Sequence, residues 1–258
     1  MRIAFFDSGI GGISVLHEAM KQLPNEDFLY YADTLHVPYG TKTKDEVLGF
    51  VTKAVESICS EGVSALVIAC NTATSIAIAE LRKSYDMPII GMEPAVKPAL
   101  EMNRSTGKRV LVLATPLTLK QSKYRELVSR IDDMGAVDSL PMPELVEFCE
   151  QLQVDGPQII DYFHSRLEGF DLSTYGTLVL GCTHFPFFRK VLKQILPEHI
   201  QIVDGSAGTV NRLVQILRDR NELTGTGRSD LKWMCSSEDP VYTDNMRRAL
   251  ELFNVTGA

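Results

Sequence analysis

The chain has 258 residues, of which 45% are hydrophobic and 23% charged, with a formal net charge of -7. That is enough apolar material for one large core or two smaller ones, while an acidic balance without any basic run excludes a general attraction for nucleic acid. No apolar stretch approaches the roughly 20 residues needed to span a bilayer, and residues 2–6 start a strand-like run without a signal core or cleavage site, so export is not expected.

Taken in order, the chain alternates short apolar runs with helical patterns. The run at 2–6 ends in Asp7-Ser8-Gly9-Ile10-Gly11-Gly12, and the run at 65–69 ends in Cys70-Asn71-Thr72. A helix is expected from 73 to 85, then a strand at 87–91. The run at 110–114 ends in Thr115-Pro116-Leu117-Thr118, and 144–152 has a helical pattern. The run at 177–181 ends in Cys182-Thr183-His184, followed by an expected helix at 187–196 and a strand at 200–204. The tail holds expected helices at 209–219 and 244–252, the first with a core-facing stripe of Val210, Leu213, Val214 and Leu217. Thr224-Gly225-Thr226-Gly227 between them reads as loop. Continuous apolar strands alternating with helices predict an α/β fold with mainly parallel sheets, covered on both faces.

An internal repeat runs through this pattern. Residues 2–8 resemble 109–115, and 66–72 resemble 178–184; the continuations agree in kind, a helix and then a strand. Two related α/β units are therefore expected, about 1–92 and about 93–206, with a pseudo-twofold relation and a cleft between them. The tail at 207–258 is too short for a third domain and should pack back onto the first.

Ligands of open parallel sheets bind beyond the carboxyl ends of the strands, where this chain carries its unusual residues. Two cysteines at equivalent places of two repeats, Cys70 and Cys182, would face one cleft from its two sides. Inverting a carbon stereocentre by proton transfer needs a base on one face and an acid on the other, and a thiolate and a thiol fill and exchange those roles. Helix N-termini after each strand would favour a thiolate and bind a carboxylate. Ser8, Asn71, Thr72, Thr115, Thr118 and Thr183 supply uncharged donors, so a carboxylate needs no arginine. Asp7 either caps the next helix or orients a thiol or an ammonium. His184 is either a satisfied core histidine or the group that tunes Cys182. Glu147, on pattern alone, is surface charge.

Cys59, Cys149 and Cys235 have no such context and are expected to be structural. Five widely spaced cysteines in a chain this long indicate free thiols in a reducing cytoplasm, where the sequon Asn254-Val255-Thr256 is irrelevant. Gly9-x-Gly11 lacks the third glycine of a dinucleotide loop, and no phosphate-loop lysine motif occurs. A zinc site of Cys70, Cys182 and His184 has the right ligand types but no second shell in the motif.

Over nearly its whole length the chain resembles glutamate racemase, within the aspartate/glutamate racemase superfamily. The resemblance is carried by Phe6-Asp7-Ser8-Gly9-Ile10-Gly11-Gly12, Tyr31-Ala32-Asp33 with Pro38-Tyr39-Gly40, Ala69-Cys70-Asn71-Thr72-Ala73, Thr115 and Thr118, and Gly181-Cys182-Thr183-His184-Phe185-Pro186. It implies interconversion of L- and D-glutamate for peptidoglycan synthesis, with no cofactor and no metal, commonly by a homodimer. Cys70 would take the α-proton of D-glutamate and Cys182 that of L-glutamate, assisted by Asp7, Glu147 and His184. Ser8, Pro38, Tyr39, Gly40, Asn71, Thr72, Thr115, Thr118 and Thr183, with Asp7 and His184, would hold the substrate. Some members carry an N-terminal extension tied to activation by a cell-wall precursor; activity without an activator is expected here. A racemase of another small acid such as aspartate, a non-catalytic two-lobed amino-acid-binding protein and a zinc hydrolase are the competing functions.

Overall fold

The computed structural model describes residues 1–256. In chain order it runs β1 (Arg2–Asp7), α1 (Ile13–Gln22), β2 (Asp27–Ala32), α2 (Lys44–Cys59), β3 (Ala65–Ile68), α3 (Asn71–Ser84), β4 (Ile89–Gly91) and α4 (Val96–Asn103). There follow β5 (Arg109–Ala114), α5 (Pro116–Lys120), α6 (Ser122–Ile131), β6 (Val137–Pro141), α7 (Glu144–Glu150), α8 (Pro157–Leu167) and β7 (Tyr175–Leu180). The last elements are α9 (Arg189–Ile195), β8 (Gln201–Asp204), α10 (Ser206–Asp219), β9 (Leu231–Cys235) and α11 (Pro240–Thr256). No helix among the described residues is long and apolar enough to cross a membrane.

Two wholly parallel sheets result, with strand orders β4-β3-β1-β2-β9 and β6-β5-β7-β8. Matching β1 to β5, β2 to β6, β3 to β7 and β4 to β8 makes the four shared strands of the two orders identical. The internal repeat of the sequence is thus a repeat of topology, and the fold is α/β with two related sheets. Successive side chains of a strand point to opposite faces, which explains how each sheet is covered. Ala4, Phe6, Leu29, Tyr31, Leu66 and Ile68 pack on α2 and α3. Val110, Val112 and Val179 pack on α4 and α6. The alternate residues, Ile3, Phe5, Tyr30 and Val67 of one sheet and Leu111, Leu113, Leu178 and Leu180 of the other, join a single core with α1, α7, α8, α10 and α11.

The sequence pattern placed no strand at β2, β6 or β9. β9 comes from the tail and pairs parallel with β2, Phe28 opposite Leu231 through Ala32 opposite Cys235. β6 closes the outer edge of the second sheet. The expected helix at 187–196 is also shorter: a 3-10 turn, Phe185–Phe188, precedes α9. Pro186 at the start of that turn has no amide to donate.

Candidate active site

Each sheet carries, at its carboxyl edge, a buried free cysteine. Cys70 follows β3 and is the N-cap of α3; its Sγ accepts from the Ala73 amide at 3.4 Å, and its thiol donates to Ser8 Oγ at 3.7 Å. Cys182 follows β7, and its Sγ lies 3.7 Å from His184 Nδ1. Both thiols are buried, 6% and 7% exposed. They line one chamber together with Ser8, Pro38, Tyr39, Gly40, Asn71, Thr72, Thr115, Val146, Thr183 and His184. Among the described residues none lining it is a lysine or an arginine.

The carboxylates come next. Asp7, at the end of β1, is fully buried. It accepts from the Gly9 amide at 3.0 Å and from the Thr183 hydroxyl at 3.0 Å, the latter bond joining the two sheets' loop ends. Burial pushes its pKa from 3.8 up to about 6, against the opposing pull of His184 and of those two hydrogen bonds. Burial resists protonation of His184, but its contacts with Cys182 and Glu150 prevail and hold the imidazole well above its ordinary value. Its Nε2 lies 2.6 Å from Glu150 Oε1, which also accepts from the Ile10 amide at 2.8 Å.

Glu150, which the sequence reading did not single out, is the carboxylate that meets His184, whereas Glu147 does not line the chamber. Helix α7 turns about 100° per residue. Val146 faces the chamber, and Glu150, four residues on, returns to within about 40° of that direction. Glu147 lies about 100° away and is exposed to solvent. The usable signal was the spacing of Glu150 from the buried Val146. A second expectation also needs revision: the helix N-terminus does not by itself make Cys70 a thiolate. Burial, reinforced by the Asp7 charge, pushes its pKa up and outweighs the Ala73 amide and Ser8.

Three hydroxyls form a closed triangle at the far wall. Thr72 Oγ1 lies 3.0 Å from both Thr115 Oγ1 and Thr118 Oγ1, which are 3.0 Å from each other. Thr118 does not line the chamber itself and acts through the other two. Tyr39 donates to Asp33 at 2.5 Å, which fixes the Pro38-Tyr39-Gly40 segment. A Cβ on Gly40 would strike the Thr115 side chain, so that segment lies directly against the second sheet's loop. Asn71 Oδ1 is buried without a protein partner. Among the described residues no group of three or more His, Cys, Asp or Glu is placed to hold a metal ion.

The family model for Asp/Glu/Hydantoin racemase matches residues 13–213. Over 226 residues the chain is 56% identical to the glutamate racemase of Halothermothrix orenii, covering 88% of each. It is 48% identical over 255 residues to glutamate racemase 2 of Bacillus subtilis, covering 99% of this chain and 96% of that one. The crystal structure of Escherichia coli glutamate racemase in complex with L-glutamate and the activator UDP-MurNAc-Ala superposes with a TM-score of 0.85 at 29% identity, covering 97% of this chain and 94% of that one. By sequence over most of its length and by fold, the chain belongs to the Asp/Glu/Hydantoin racemase family.

Proposed function

We propose that the protein is a glutamate racemase that interconverts the L and D forms by two-base proton transfer, without a cofactor. The observation that carries this function is the pair of buried thiols, one from the end of each sheet, lining one small chamber. In the L-to-D direction the Cys182 thiolate takes the α-proton: an S–H bond forms, the C–H bond breaks, and the electron pair stays on the substrate as an enolate. The Cys70 thiol then delivers its proton to the opposite face, and the roles reverse for D-glutamate. General acid–base catalysis of this kind needs both groups positioned before the reaction. Asp7 serves Cys70, and the His184–Glu150 pair serves Cys182.

The substrate's anionic groups are met by hydroxyls and amides, and Thr72 and Thr115, backed by Thr118, give two rotatable donors for one carboxylate. The unpartnered Asn71 Oδ1 offers an acceptor to the ammonium; leaving such an atom unpaired costs about 1–3 kcal/mol. We further infer two domains, 1–92 with 207–258 and 93–206. The first sheet draws its strands from the former and the second from the latter. A cytoplasmic homodimer supplying D-glutamate for peptidoglycan completes the proposal.

Incubation of the purified protein with L- or D-glutamate in deuterium oxide tests it, with no pyridoxal phosphate or metal added. Exchange of the α-hydrogen and convergence to a racemic mixture are expected, and Cys70→Ala or Cys182→Ala abolishes racemisation. Binding of glutamate without exchange would leave a two-lobed binding protein instead. Faster turnover of aspartate than of glutamate would move the protein to another substrate class.

A further inference from the structure

The loop after β1 is held from beneath by Tyr30, a residue of β2 that touches no part of the chamber. Tyr30 is fully buried, and its phenol donates to the Gly9 carbonyl at 2.7 Å. That carbonyl belongs to the same peptide group as the Ile10 amide. A peptide unit is planar, with C=O and N–H pointing in opposite directions, so fixing the oxygen fixes the direction of the hydrogen. The hydrogen goes to Glu150 Oε1 at 2.8 Å, and Glu150 in turn meets His184, which meets Cys182.

We propose that Tyr30 is a positioning residue for the Cys182 half of the reaction, acting through the Gly9–Ile10 peptide, Glu150 and His184. The inference rests on the racemisation proposed above. Three observations support it. The ring is held against Trp233 of β9 at 5.7 Å in an edge contact, so the hydroxyl has little freedom. Burial, and then the charges of Asp7 and Glu150, hold the phenol well above its ordinary pKa, so it remains a donor. A Cβ on Gly12 would meet both the Asp7 Cβ and the Tyr30 hydroxyl, so the loop is drawn down onto the phenol with no room for a larger residue.

Tyr30→Phe keeps the ring and removes only the hydroxyl. With one hydrogen bond lost at a buried carbonyl, kcat/KM falls about tenfold. The fall is equal in both directions, because the two enantiomers are equal in energy. The distinguishing readout is the primary isotope effect with α-deuterated substrates. When the steps at Cys182 slow, removal of the proton from L-glutamate becomes more rate-limiting and its isotope effect rises. Removal from D-glutamate by Cys70 becomes less so, and its isotope effect falls. Tyr175→Phe is the matched control. It removes a phenol that donates to Asp138 at 2.6 Å at the other end of the second sheet, and it should leave both isotope effects unchanged.

Activity is normalised to the folded fraction from a thermal melt. A Tyr30→Phe protein with wild-type kcat/KM, or with reduced kcat/KM and unchanged isotope effects, overturns the role. Absence of α-hydrogen exchange in the wild-type protein would instead remove the racemase reading on which it rests.

Discussion

Replacing Asp7 by asparagine should make the protein more stable and less active at once. The carboxyl is fully buried and its pKa stands at about 6, against 3.8 in an exposed chain, with burial the main cause. A tenfold change in proton affinity is worth about 1.36 kcal/mol, so holding Asp7 ionised costs the folded state about 3 kcal/mol at neutral pH. The sign follows from linkage. Between pH 3.8 and about 6 the folded chain binds this proton and the unfolded chain does not, so stability falls as pH rises through that window and the loss is complete above it. Asparagine keeps an oxygen for the Gly9 amide, carries no charge, and turns its NH2 to the Thr183 hydroxyl, which reverses from donor to acceptor. Urea unfolding of wild type and Asp7→Asn at pH 7.5 should therefore favour the variant by about 3 kcal/mol, and at pH 5 by about half as much. Racemisation by the same variant should fall, because the carboxylate beside Cys70 is gone. An equal difference at both pH values, or a less stable variant at pH 7.5, would refute the reasoning.

Two further substitutions separate neighbours that look alike in the sequence. Glu150→Gln removes one of the two partners, Cys182 being the stronger, that raise the His184 imidazole, so its pKa falls and the alkaline limb of the rate profile moves to lower pH, with kcat reduced about tenfold or more. Glu147→Gln, on the exposed face of α7, should match wild type in rate and profile. Gly11→Ala would drive a methyl into the His184 ring and the Thr183 hydroxyl. A drop in kcat of at least a hundredfold with a melting temperature within a few degrees of wild type is expected from rate assay and calorimetry, and normal turnover would show that the imidazole has room to move.

Much of this molecule was legible before any coordinates. The strands β1, β3, β5 and β7 are buried on both faces, so their sequences are nearly unbroken apolar runs, and the residues closing each run stand out against them. The same contrast made Cys70 and Cys182 visible as a pair. Two of the four edge strands, β6 and β9, give no such contrast. β6 reads Val-Asp-Ser-Leu-Pro and β9 reads Leu-Lys-Trp-Met-Cys; all but one of these residues are at least partly exposed, and their place is set by partners distant in sequence. Glu150 was hidden for a related reason: its four-residue spacing from Val146 separates it from Glu147 only once Val146 is known to face the chamber. Tyr30 reads as one more apolar strand residue, since only the position of the Gly9 carbonyl gives its hydroxyl a purpose.

The placement of β9 has a consequence for how the chain is made. The outer edge of β2 is among the first segments to leave the ribosome, yet the strand that covers it emerges only after the entire second sheet. During that interval a row of amides and carbonyls along β2 has no native neighbour, and such an edge invites pairing with other chains. Synthesis therefore exposes this protein to self-association until its tail arrives, and cells that slow translation late in the message would lengthen the exposure.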